Sequence, residues 1–228
     1  MITQRTKKRK KNFKKVFLAA SPHDPALIQF KRKYQLDKVI KNGKDEFTQM
    51  LLLNEWTHQQ FKSFGRPTWI TQNADEILEL ARAGHTFYCA HFAIVYTVAA
   101  TALGWLARLV SLRLADFPIK HSNHNVVEIW SHQYQKWIML DPTPNCYIAK
   151  EDDLIPLNCY EIGIEWFKKQ NKRLCFVLGV KRQVYPLNKL PVILAHYPGF
   201  GQLAIRVTEL DKYACLAYIP TNRLLGDF

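Results

Sequence analysis

At 228 residues, 48% of them apolar and 13% aromatic, the chain carries enough core-forming material for one domain of ordinary size, which excludes a wholly disordered protein. Its net charge of +13 is unevenly placed: residues 1–41 hold 13 Lys and Arg against Asp24 and Asp37, whereas the remainder, with 19 basic and 17 acidic side chains, is near neutral. The five cysteines (Cys89, Cys146, Cys159, Cys175, Cys215) are odd in number, widely spaced and without a Cys-x-x-Cys pair, so a zinc knuckle, a redox pair and a disulfide framework are all unsupported.

Residues 1–20 read as a basic, disordered segment. Arg5-Thr6-Lys7-Lys8-Arg9-Lys10-Lys11, with Lys14 and Lys15, is a solvated tail or the landing site of an anionic partner such as nucleic acid, anionic lipid or an acidic protein. No aromatic residue interleaves the lysines of 7–11, which argues against base stacking. The apolar stretch Val16-Phe17-Leu18-Ala19-Ala20 is shorter than the roughly 7–15 residues of a signal-peptide core. The expectation is therefore no signal peptide and, by default, a cytoplasmic location.

Residues 21–228 read as a single domain, with a core at about 44–145 and a C-terminal extension over 146–228. Between Pro22 and Lys41 the apolar content of Tyr34, Leu36, Val39 and Ile40 predicts one short strand or an irregular approach. Phe47, Met50, Leu51 and Asn54 then follow helical spacing, and Gly65-Arg66-Pro67 ends that segment. A second helix is capped by Asn73, carries Asp75 and Glu76 in its first turn, and stops at Gly84. From Thr86 to Ala107 no Lys, Arg, Asp or Glu occurs, which is long enough to span a bilayer on count alone. Its Ala, Thr, Tyr, Cys and His content instead predicts a buried central helix, starting near Cys89 and running to about Leu103. A strand follows over Ala107–Leu114. The stretch from His124 to Asp141 predicts a hairpin, and strands are expected at Leu174–Val180, Leu203–Val207 and Cys215–Ile219, with a helix at Ile162–Lys169.

The hairpin carries the chemistry. A turn centred on His132-Gln133 opposes Glu128 to Trp137 and His124 to Asp141, and opposed residues share a sheet face. An imidazole beside a carboxylate is the pair that fixes a histidine tautomer and supports its cation. A cysteine at a helix N-terminus completes the set, because the helix dipole and a neighbouring imidazolium both favour thiolate. Cys89 is then the nucleophile, His124 the base and proton shuttle, and Asp141 the orienter. The Cys89 backbone N–H serves as one oxyanion donor; Trp69, Gln59 and Gln60 are upstream candidates for a second.

Tyr88-Cys89-Ala90-His91-Phe92-Ala93, Leu103 to Val110, His124 to Trp130 and Trp137 to Thr143 together resemble the transglutaminase-like superfamily. The Cys-to-His and His-to-Asp separations are 35 and 17 residues. The resemblance covers roughly Leu51 to Thr143 and implies a papain-like Cys-His-Asp triad at Cys89, His124 and Asp141. The implied fold is α+β, an antiparallel sheet packed against a central helix that carries the nucleophile at its N-terminus. The implied activity is attack on amide or peptide bonds of a protein or peptide substrate through a thioester, with no cofactor and no metal. Hydrolysis is favoured over cross-linking because no extra module for a second substrate is recognisable; the alternative is a catalytically inactive binding module. Three positions depart from the family pattern: Phe87 and Asn123 replace glycine, and Val126 replaces tryptophan. The first would crowd the thiol and the others alter the substrate groove. Glu128 reads as structural, accepting from Arg108 or a backbone donor, and the histidines around His121 and His132 lack zinc-site spacing.

Overall fold

The computed structural model describes residues 21–67, 71–111, 124–162, 165 and 173–186, and the backbone of 112, 113, 123 and 217–219. The basic segment, Trp69, His121, Cys215 and the expected strand Leu203–Val207 lie outside the described residues.

Among the described residues five helices precede the first strand: α1 (Pro25–Lys33), α2 (Leu36–Ile40), α3 (Glu46–Gln59), α4 (Ala74–Arg82) and α5 (Cys89–Ala102). The first two replace the strand or irregular approach expected between Pro22 and Lys41. Asp24 caps α1 by accepting from Ala26 N, Pro25 sits in its first turn, and Leu27 and Phe30 bury one face. α2, which holds Val39 and Ile40, has no such side-chain cap; its Leu36 is buried in the core. Asp45 caps α3 and Asn73 caps α4.

Gly84 and Gly104 end α4 and α5, with φ of 94° and 95°. At each, the next residue's N–H reaches back into the last turn, His85 to Leu80 O and Trp105 to Ala100 O, which satisfies carbonyls the helix leaves open. Only a residue without Cβ adopts that φ cheaply.

Helix α5 is central. Every residue in it but Ala90 is buried, with α1, α3 and α4 on one side and the sheet on the other. Its polar groups are absorbed locally: Thr97 Oγ1 donates to Ala93 O, Thr101 Oγ1 to Thr97 O, and Tyr96 OH to Met50 O. Among the described residues no helix is long and apolar enough to cross a membrane.

The strands β1 (Ala107–Arg113), β2 (Asn123–Ser131), β3 (Lys136–Leu140) and β7 (Ala217–Ile219) form an antiparallel sheet ordered β3-β2-β1-β7. β4 (Cys146–Lys150), β5 (Leu174–Leu178) and β6 (Gln183–Pro186) form a second. The fold is α+β, as expected. A helical turn begins at Cys159, before the expected Ile162, and the remainder of that predicted helix is mostly outside the described residues.

The hairpin register differs by two from the expected one. Trp130 opposes Trp137 and Glu128 opposes Met139, because the loop is four residues long, His132–Gln135, with Gln135 at a φ of 53°. Glu46 fixes that loop from α3, accepting from Ser131 Oγ and Gln133 N. An even slip leaves every side chain on its predicted face. Residues 124, 126 and 128 therefore still share a face with 139 and 141. Val127 and Ile129, with Ile138 and Leu140, join the main core.

Glu128 is 2% exposed and does both things expected of it: Arg108 Nε donates to Oε2 at 2.9 Å, and Cys159 N to Oε1 at 2.9 Å. The Arg108 guanidinium also lies 4.0 Å above the Trp137 ring.

Candidate active site

Cys89 is the first residue of α5, with Tyr88 as an extended N-cap that makes no side-chain capping bond and no acidic residue in the first turn. The first N–H groups of a helix have no intrahelical acceptor, and they concentrate the positive end of its dipole at the sulfur. His124 lies near the start of β2 and Asp141 just beyond the end of β3. His124 Nε2 donates to Asp141 Oδ2 at 2.6 Å. Both groups are buried, at 5% and 0% exposure, so the pair interacts with little screening. With Nε2 engaged by a carboxylate, Nδ1 is the nitrogen left for the thiol.

Asp141 is held from several directions. Its Oδ1 accepts Thr143 N at 3.0 Å, and its backbone exchanges bonds with Cys146 across a tight turn at 2.8 and 2.9 Å. Two side chains of α3 grip the same turn. Asn54 Nδ2 donates to Asn145 Oδ1 at 3.0 Å and reaches Asp141 O at 3.4 Å, while His58 Nδ1 meets Thr143 O at 2.9 Å. The turn that carries the carboxylate is therefore tied to α3.

Asn125 follows His124 on β2 and also reaches the first residue of α5. Its Nδ2 lies 3.7 Å from Cys89 Sγ, and the residue is 7% exposed.

These contacts set the titration of the pair. Burial opposes the Cys89 thiolate, but the charge and hydrogen bond of His124, with amide donors of Asn125, hold it below the ordinary thiol range. Burial likewise opposes imidazolium at His124, yet the charges of Asp141 and Cys89 push it up to about 10. The two groups titrate as a unit and favour thiolate–imidazolium. The other described cysteines behave oppositely. Burial pushes the Cys146 and Cys159 thiols well up and Cys175 to about 11.

The structure brings together all three residues singled out in the sequence. It also shows three that were not, Asn125, Asn54 and His58. Asn54 had a readable signal, a polar residue on the apolar stripe of Phe47, Met50 and Leu51. Asn125 had one too, an amide inside a β-branched strand. His58 had none. Neither upstream glutamine is committed to the sulfur: Gln59 is exposed, and Gln60 Nε2 donates to Trp56 O at 3.0 Å. Phe87 does not stand in the approach to the thiol; its ring is fully buried, edge-on to Phe61 and 4.8 Å from His91. Burial lowers the basicity of His91, which packs in the core. Val126 is fully buried on the His124 face. His132 pairs with Glu46 at 2.9 Å, and among the described residues no group of three or more His, Cys, Asp or Glu is placed to hold a metal.

Residues 34–142 match the family model described as the transglutaminase-like superfamily. Over that segment, just under half of the chain, it is similar to the superfamily. The match starts at Tyr34 rather than Leu51, so it takes in α2 and all of α3. Among solved structures, a candidate cysteine protease from Cytophaga hutchinsonii is 17% identical, covering 52% of this chain and 41% of its own, with a TM-score of 0.41. The periplasmic domain of TgpA from Pseudomonas aeruginosa, bound to ethylmercury, is 22% identical, covering 50% and 44%, with a TM-score of 0.37. The chain thus spans about two-fifths of the length of the solved structures it is similar to. No curated protein matches it.

Proposed function

We propose that this transglutaminase-like chain is a cysteine enzyme that acts on amide or peptide bonds of a protein or peptide through a thioester. The observation that carries the reading is the buried 2.6 Å contact between His124 and Asp141, beside a thiol at a helix N-terminus. Cys89 Sγ attacks the carbonyl carbon. His124, as imidazolium, protonates the leaving nitrogen as the C–N bond breaks, and the acyl group remains on sulfur. Neutral His124 then takes a proton from water, which hydrolyses the thioester and restores the thiolate. Asp141 holds the imidazole in the tautomer that turns Nδ1 toward sulfur.

Hydrolysis is the favoured second step; an incoming amine would instead give cross-linking. The test uses the full chain with a mixture of glutamine-containing peptides, with and without a biotinylated primary alkylamine. Peptide cleavage or glutamine deamidation in water, with little amine incorporated, is expected. Efficient amine incorporation would replace hydrolysis with transfer. Neither product from any peptide, together with reversible peptide binding, would favour the inactive binding module.

A further inference from the structure

We infer that the side-chain amide of Asn125 is the second oxyanion donor of this site, acting with the backbone N–H of Cys89. The inference rests on the acyl-transfer reading above and adds a residue to it.

Three observations converge. Alternation along β2 turns Asn125 toward α5, where Val127 and Ile129 follow it into the apolar core, so an amide there occupies a place that packing alone would give to an aliphatic residue. Its Nδ2 points at Cys89 Sγ from 3.7 Å while the residue is 93% buried. The described upstream amides are directed elsewhere, Gln59 to solvent and Gln60 to Trp56 O.

The chemistry needs a donor at that point. As the sulfur lone pair forms the C–S bond, the carbonyl π pair moves onto oxygen, and negative charge passes from sulfur to an atom only two bonds away. A donor in contact with the thiolate is then within a short reorientation of the oxyanion, at the roughly 2.7–3.1 Å that stabilisation requires. When the intermediate collapses, the electron pair returns to the carbonyl, the C–N bond breaks, and the amine leaves with the proton of His124. The Asn125 amide does not titrate and carries no proton in either direction. It is thereby distinguished from His124, its neighbour on the strand, which moves one.

Two reactions of the same sulfur separate this role from simple support of the thiolate. Acylation by p-nitrophenyl acetate passes through an oxyanion. Alkylation by iodoacetamide displaces iodide directly and forms none. Both rates are measured on the full chain and on Asn125→Leu and Asn125→Ala, at a pH where alkylation shows the thiolate fully formed in each. Both variants are expected to lose about 10²-fold in acylation, the usual effect of deleting one such donor, while alkylation keeps its rate and so reports an intact fold. Acylation and alkylation falling by one common factor, or acylation unchanged, would overturn the assignment. A wild-type Cys89 that alkylates no faster than Cys146, Cys159 and Cys175 is a different result. It would remove the nucleophile and the donor assigned to it together.

Discussion

Cys89→Ser is expected to lower turnover by about 10⁵- to 10⁶-fold, the loss typical of removing the nucleophile from residues that act as one unit. A hydroxyl cannot be held as an anion by the His124–Asp141 pair as a thiol can, because its proton is far less acidic. Intact-mass spectrometry after mixing with an activated ester should show one acyl adduct on the wild type, on the peptide bearing Cys89, and none on the variant. The fold should survive, since Cys89 is at the helix start and the substitution changes one atom. A variant that retains more than about a hundredth of the activity would mean that another group forms the intermediate.

Asp141→Asn should cost both rate and stability. An amide at that position presents N–H as readily as oxygen to Nε2, so the imidazole loses its fixed tautomer; losses of about 10⁴-fold follow in triads of this logic. The carboxylate is fully buried and accepts from His124 and Thr143 N, and removing one member of a buried charged pair costs about 3–5 kcal/mol. The pH dependence has a definite sign. His124 is raised from 6.5 to about 10 in the fold, so its contribution is complete below pH 6.5 and is lost as pH rises through about 10. Urea titrations should therefore show the widest gap between wild type and variant near pH 6.5, narrowing toward pH 10. A gap that widens over that range would mean the imidazole is not the group Asp141 supports.

Much of this site was legible because its parts are local patterns. The uncharged run after Thr86 predicted a central helix, and α5 is buried on all sides. Glycine at 84 and 104 and asparagine at 73 marked helix ends by the backbone chemistry they permit. The hairpin was found, but its register was missed by two, since nothing in Gln135 advertises a positive φ. The site survived that error because strand faces repeat every second residue. His124 and Asp141 turned out to be diagonal neighbours rather than directly opposed, close enough for a 2.6 Å bond. Strand β4 escaped notice for a different reason. Cys146 to Ala149 are buried on both faces, so the segment shows no alternation to read. The grip of α3 on the Asp141 turn joins residues more than eighty positions apart, and only folding reveals such a contact.

Everything proposed here depends on Cys89 existing as a thiolate at pH values where an ordinary thiol is protonated. The direct measurement is the rate of iodoacetamide labelling at each cysteine as a function of pH, resolved peptide by peptide. Cys89 should label fastest, with a midpoint below 9.0 that moves upward in His124→Ala, while Cys146, Cys159 and Cys175 stay slow. A Cys89 midpoint at or above 9.0, unmoved by loss of the imidazole, would contradict the account.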